Sequence, residues 1–308
     1  MVLVLYVGQV EHTARKAPPA GTDLAQSIPV YKDKATYRYS SAFQVYLVLI
    51  SSFALYSKSL DMKSIAALAS FVVLATAVSA DRTFTVKNQC SYTIWPGLFT
   101  QPGGAVPSQP TGWEMASGAT TTFTVPDNWT AGRIWPRTEC DFATNPGPTS
   151  CATGGCNRGL ECTPVTGSGV PPATLAEFTL SSSSTDFYDV SIVDGFNVPL
   201  EITPSSSGCG TTTCSANLNP DCPAILQVKD ASGAIVGCNS DCQVTHDSAA
   251  CCTPPHSTPA TCPSSGVPYY DYFKGQCPDA YVYAYDDASA TFTCPGSDAA
   301  GYTITFCP

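Results

Sequence analysis

The sequence predicts an all-β protein: an antiparallel β-sandwich or barrel core carrying two cysteine-rich lobes. Three observations predict it. Short runs alternate at strand spacing, turns rich in Gly, Pro and Ser separate them, and all sixteen cysteines lie between Cys90 and Cys307. Hydrophobic residues make up 44% of the chain, enough for a core, while charged residues make up 12%, about half of the roughly 25% usual in soluble domains.

Taken in order, the chain opens with two segments unlike the rest. Residues 62–80, MKSIAALASFVVLATAVSA, have a basic start at Lys63, an apolar run from Ile65 to Ala75 and small residues ending in Ala80. That is a secretory signal peptide, with cleavage expected after Ala80 and a product beginning at Asp81. Residues 1–61 precede it, where a signal peptide should come first. They are expected to be an upstream extension of the gene model, with a membrane-anchored precursor as the other reading. Residues 39–57 are uncharged and largely apolar, a run long enough to span a bilayer.

Charge divides at the same place. Residues 1–80 carry 7 Lys/Arg and 4 Asp/Glu, net +3, and residues 81–308 carry 7 and 20, net −13. An acidic product lacks the basic patch that nucleic acid requires, so no nucleic-acid partner is expected.

From Asp81 on, strands are expected in turn. In TFTVKNQCSYTIW (83–95), Phe84, Val86 and Asn88 share one parity. Similar runs are Thr120–Val125, Arg133–Arg137, Glu177–Leu180, Phe187–Val193, Ala224–Lys229, Tyr281–Tyr285, Ala290–Cys294 and Tyr302–Phe306. A short helix fits Val267–Lys274. Residues 138–172 hold four cysteines and 209–262 hold eight among loop-forming residues, so both are expected to be lobes held by disulfides. Secretion makes eight disulfides the natural reading of sixteen cysteines. Zinc is disfavoured, since only His246 and His256 follow Ala80 and no C-x-x-C pair repeats. The sequence DNWT marks Asn128 as an N-glycosylation acceptor by pattern.

The chemistry candidates are carboxylates. No G-x-S-x-G is present and no Gly-rich loop opens a helix, so neither a serine hydrolase nor a nucleotide site is supported. Glu177 sits in LAEFTL, where apolar neighbours should raise its pKa and suit it to a general acid. Asp189 and Asp194 are five apart, so they point to opposite faces of an ideal strand. They can share a site only if the strand ends or bulges first, which Gly195 allows. Tyr281, Tyr283 and Tyr285 alternate into an aromatic stripe, for sugar contact or for core packing.

The pieces NQCSYTIWPG, GRIWPRTEC, CATGGC, PPATLAEFTL, DFYDVSIVDGFNVPLEITP, CPDAYVYAYDD, TFTCPG and YTITFCP resemble the thaumatin-like proteins, in family order and across essentially all of 81–308. The resemblance implies a flattened β-sandwich core (81–137, 173–215 and 278–308), a small lobe (138–172) and a large disulfide-rich lobe (216–277). It implies the pairs Cys90–Cys307, Cys140–Cys151, Cys156–Cys162, Cys209–Cys294, Cys214–Cys277, Cys222–Cys238, Cys242–Cys251 and Cys252–Cys262. It departs at Thr153-Gly154-Gly155-Cys156, where the family usually has T-G-D-C; a local turn contact is in doubt there.

The resemblance also groups the carboxylates into an acidic cleft of one Arg, one Glu and three Asp, here Arg133, Glu177, Asp189, Asp194 and Asp286. Asp287 is the alternative to Asp286, and Arg137, on the same parity as Arg133, is a rival cation. Glu177 and Asp194 are the catalytic candidates; Arg133, Asp189 and Asp286 would bind substrate. The implied activity is β-1,3-glucan hydrolysis at cell walls by paired carboxyls, with an antifungal or wall-remodelling role. The alternative is a glucan-binding or membrane-perturbing defence protein without turnover. An enzyme inhibitor is a further reading, and the acidic charge argues against a sweet-taste protein. The expected product is a secreted monomer without cofactor, metal or stable membrane insertion, its partner a cell-wall polysaccharide.

Overall fold

The computed structural model describes residues 81–163 and 169–308. The signal peptide and upstream extension expected before Asp81 lie outside the described residues.

Two sheets form the body of the molecule. The first runs β3-β1-β13-β7-β8. Its strands are β1 (Arg82–Asn88), β3 (Thr120–Val125), β7 (Leu200–Pro204), β8 (Thr212–Cys214) and β13 (Tyr302–Phe306). β1 and β13 are its parallel pair, with Asn88 opposite Phe306. That register brings the following residues, Cys90 and Cys307, together, and their disulfide closes a separation of 217 residues. In the chain-entropy picture such a closure is worth about 5 kcal/mol.

The second sheet runs β11-β6-β5-β4-β2, with β12 also on β6. Its strands are β2 (Gly97–Phe99), β4 (Gly132–Trp135), β5 (Leu175–Thr179), β6 (Thr185–Ser191), β11 (Ala280–Tyr281) and β12 (Phe292–Pro295). One edge of β6 serves two partners. β12 pairs with Thr185–Tyr188 and β11 with Val190–Ser191, so Asp189 falls at the break between them.

The core explains the alternation. On β1, Arg82, Phe84, Val86 and Asn88 are buried. Phe84 meets Phe178 of the second sheet at 4.9 Å edge-on, joining the two sheets, and Tyr302 of its own sheet at 5.4 Å. Asn88 is tolerated there because its Nδ2 donates to the carbonyls of Tyr92, Met115 and Ala116, and its Oδ1 accepts from Cys90 N–H. A smaller cluster, Trp135 with Cys156, Cys162, Ala173 and Leu175, packs separately.

All eight disulfides have the partners that the resemblance implies. Gly155 leaves the Cys156–Cys162 bridge intact, and a Cβ at Gly155 would collide with the Pro148 carbonyl, so this turn has no room for a side chain there.

The large loop region carries a hairpin of β9 (Gln227–Lys229) and β10 (Ile235–Cys238), then helices α1 (Asp241–Thr245) and α2 (Tyr270–Gln276). Helix α3 (Asp287–Ala290) precedes β12. Several expected strands are shorter than their runs. The strand from Thr83 ends at Asn88, where the side chain caps the following loop instead of continuing the ladder. The Tyr281–Tyr285 run is strand only to Tyr281, because Val282 N–H turns to the Asp286 carboxylate. β2, β7, β8 and β10 had no expectation; three to five residues give too little alternation to read. Among the described residues no helix is long and apolar enough to cross a membrane.

Candidate functional site

Cross-strand register builds the site. Arg133 on β4 lies opposite Glu177 on β5, and Glu177 lies opposite Asp189 on β6. The neighbours Ile134, Ala176, Phe178, Tyr188 and Val190 point into the core. By strand periodicity the three charged side chains therefore emerge together on the other face of the sheet. Phe99, opposite Arg133 on β2, extends the row and lies 5.9 Å beneath the guanidinium.

Arg133 Nε donates to Glu177 Oε1 at 2.6 Å, with both side chains about one-quarter exposed (24% and 25%). The apolar surroundings expected for Glu177 belong to its strand neighbours; its own carboxylate faces a guanidinium. Arg133 is held above its ordinary pKa, first by Glu177, then by Asp194 and Asp189, against the opposing cost of burial.

Asp189 is the carboxyl without such help. Its Oδ1 is sealed from water and has no hydrogen-bond partner among the described residues. Burial pushes its pKa well up, and the charges of Glu177 and Asp287 push the same way, opposed by Arg133. The environment read for Glu177 is thus found at Asp189.

Asp194 joins through a turn. β6 ends at Ser191, and Gly195 N–H closes a turn onto the Ile192 carbonyl, with Gly195 at φ +85°. A Cβ there would crowd the Cys238 carbonyl and Pro172 as well as strain the backbone. Strand exit before Asp194 is what lets residues five apart share a site. Asp194 accepts from Gln243 Nε2 on α1 at 3.4 Å.

The Asp286–Asp287 doublet splits. Asp286 is 5% exposed and accepts from Lys274 Nζ and Val282 N–H at 3.0 Å each, Tyr270 hydroxyl at 3.0 Å and Ser289 hydroxyl at 3.3 Å. It ties α2 to the 281–287 segment, and these partners take up both of its carboxylate oxygens. Asp287 is exposed, accepts from the Tyr281 hydroxyl at 3.0 Å, and is the doublet member whose charge reaches Asp189.

The two arginines differ as sharply. Arg137 is fully buried, donating to the carbonyls of Trp95, Pro96, Gly159 and Leu160. Burial lowers its pKa to about 10. It pins loops, and Arg133 alone of the two meets the carboxylates.

A sequence profile described as the Thaumatin family matches residues 88–308. The chain belongs to the thaumatin family. Thaumatin-like protein 1 of Pyrus pyrifolia is 46% identical over 230 residues, 73% of this chain and 90% of that protein. A Prunus avium protein named glucan endo-1,3-beta-glucosidase is 43% identical over 242 residues, covering 78% and 96%. Pathogenesis-related protein 5 of Arabidopsis thaliana is 44% identical over 241 residues, covering 77% and 95%.

Within this thaumatin-family site, Tyr281 is a member that sequence reasoning placed only in an aromatic stripe. Its hydroxyl bonds both Asp287 and Thr291 Oγ1. Tyr283 packs edge-on against Tyr270 and Tyr285 instead, so the three tyrosines do not form one face. The histidines stand apart from the site: His246 caps α1 in an exposed αL position, and His256 bonds the Thr261 carbonyl. Asn128 is exposed in the turn between β3 and β4. Among the described residues one cluster has ligand-like spacing, Cys209, Cys294 and Asp298, and its two sulfurs are bonded to each other.

Proposed function

We propose that this thaumatin-family protein is secreted, acts as a monomer at cell walls, and binds and hydrolyses β-1,3-glucan in an acidic cleft, with an antifungal or wall-remodelling role. The observation that carries the reading is the Arg133–Glu177–Asp189 row, in which a carboxyl whose pKa is raised by burial stands opposite an ion-paired carboxylate. Glycoside hydrolysis needs that division: an acid for the leaving oxygen and an ionised partner as nucleophile or base. The relative named for glucan endo-1,3-beta-glucosidase supports the substrate class.

The geometry redistributes the roles. Asp189 supplies the proton, Glu177 acts as nucleophile or base once substrate loosens its hold on Arg133, and Asp194 and Arg133 set orientation and charge. Asp287 takes the place given to Asp286 as the far binding carboxylate. Asn128, in its exposed turn, is the proposed glycan acceptor. Reducing-sugar release from laminarin by purified residues 81–308 tests the reading. Glu177→Gln is expected to lower it by about 10²-fold or more; unchanged release would sink the assignment.

Binding without turnover is the second reading, favoured by the 2.6 Å Arg133–Glu177 pair, which occupies the carboxylate in the free protein. Retention on insoluble β-1,3-glucan with no sugar released by the wild-type chain would select it.

A further inference from the structure

The mechanism above leaves Tyr281 and Asp287 without an explanation for their arrangement. The break in the edge of β6 supplies one. β11 reaches β6 from one side of Asp189 and stops at Tyr281. β12 takes up the same edge on the other side, from Tyr188 back to Thr185. The ten residues between the two strands, 282–291, must leave the sheet and return to it. Within them Asp286 turns inward to Lys274, Tyr270, Val282 N–H and Ser289, which fixes the start of α3 and leaves Asp287 facing outward. The Tyr281 hydroxyl then bridges the segment, bonded at once to Asp287 Oδ1 and Thr291 Oγ1.

We infer that Tyr281 is a positioning residue of the acidic row: its hydroxyl, bonded at once to Asp287 and Thr291, holds Asp287 at the break in the β6 edge where Asp189 lies. Two features of the geometry carry this. A phenol has one proton to give, and here it goes to Asp287, so it is not offered to the sealed Oδ1 of Asp189, which has no partner among the described residues. The segment that carries Asp287 also leaves and rejoins the β6 edge on either side of Asp189, so a held Asp287 stays at that break, where its charge adds to burial and to Glu177 in disfavouring the ionised form of Asp189.

The groups facing Asp189 are Glu177 from β5, Arg133 from β4, Tyr281 from β11 and Asp287 from α3. Of these Arg133 alone favours the ionised form. Removing the Tyr281 hydroxyl frees Asp287 to swing toward solvent and relieves Asp189 of its pressure, while the ring and the strand pairing remain.

The inference deepens the proposed site, but its test uses no glucan, so it can fail independently of that reading. Carboxyl resonances of ¹³C-aspartate-labelled protein, residues 81–308 with disulfides intact, are followed through a pH titration. Asp189 is expected to titrate at lower pH in Tyr281→Phe than in wild type, and at lower pH again in Asp287→Asn. Adding Tyr281→Phe to Asp287→Asn is expected to change nothing further, because the tyrosine acts through that carboxylate. An unmoved Asp189 in either single variant overturns the inference. So does a shift from Tyr281→Phe that persists in the Asp287→Asn background. Should the phenylalanine variant fail to fold, Asp287→Asn, at an exposed position, can still overturn the inference: an unmoved Asp189 there shows that Asp287 does not bear on it.

Discussion

Asp186 and Asp189 stand three residues apart on β6 and live in opposite circumstances. Asp186 points between the sheets and is 0% exposed. One of its oxygens accepts from Ser181 N–H at 2.9 Å; the other accepts from Tyr302 hydroxyl at 2.8 Å and meets Arg82 at 3.4 Å. Arg82 in turn donates to the carbonyls of Ala300 and Gly296. Both oxygens of Asp186 are thus met, while Arg82 Nε is left without a hydrogen-bond partner among the described residues. Asp189 is on the outer face, only partly buried, yet keeps one sealed oxygen unmet. The deeper carboxylate is architecture because it is satisfied. The shallower one has a raised pKa, because burial first and then the charges of Glu177 and Asp287 disfavour its ionised form.

The contrast predicts where stability resides. Asp186→Asn removes the counter-charge of a guanidinium that is 1% exposed and cannot reach water. A loss of about 3–5 kcal/mol is expected in denaturant unfolding with the disulfides kept oxidised. A loss under about 1 kcal/mol would mean that the Arg82 contacts to carbonyls suffice and that satisfaction does not separate the two aspartates.

The doublet offers the same contrast on a smaller scale. Asp286→Asn should cost about 1.5–3 kcal/mol, since it weakens bonds to Lys274 and three further donors. Asp287→Asn, on an exposed side chain, should stay within about 0.5 kcal/mol. Equal losses would show that the two carboxylates divide the work differently.

These pairs also mark what the sequence could and could not convey. Strand alternation placed Phe84, Val86 and Asn88 on one buried face, and β3 and β13 fell on their expected residues. Gly195 was readable as the strand exit that frees Asp194. Alternation put Arg133 and Arg137 on one parity, but β4 ends at Trp135, and past Pro136 parity no longer predicts direction. Nor could spacing tell Asp286 from Asp287, because the choice depends on Lys274 and Tyr270 arriving from α2. Glu177 looked apolar from its neighbours along the chain. The neighbour that matters, Arg133, is 44 residues away and arrives only by pairing of β4 with β5.

The most direct probe of Asp189 is the pH dependence of stability. Its carboxyl binds a proton more tightly in the folded chain than in the unfolded one, where carboxylates titrate near 4. Below that range both states are protonated, and the folded-state advantage is fully present. As pH rises through the unfolded value and on through the raised folded one, the unfolded chain has released a proton that the folded chain still holds, so stability falls. Asp189→Asn has no proton to lose and abolishes that slope. The difference between wild-type and variant unfolding free energies, followed from pH 3 to 8, should therefore favour wild type in acid and drift toward the variant as pH rises. Because all other titrating groups are common to both chains, a flat difference would mean that the Asp189 pKa is not raised, and would remove the proton donor from the proposed mechanism.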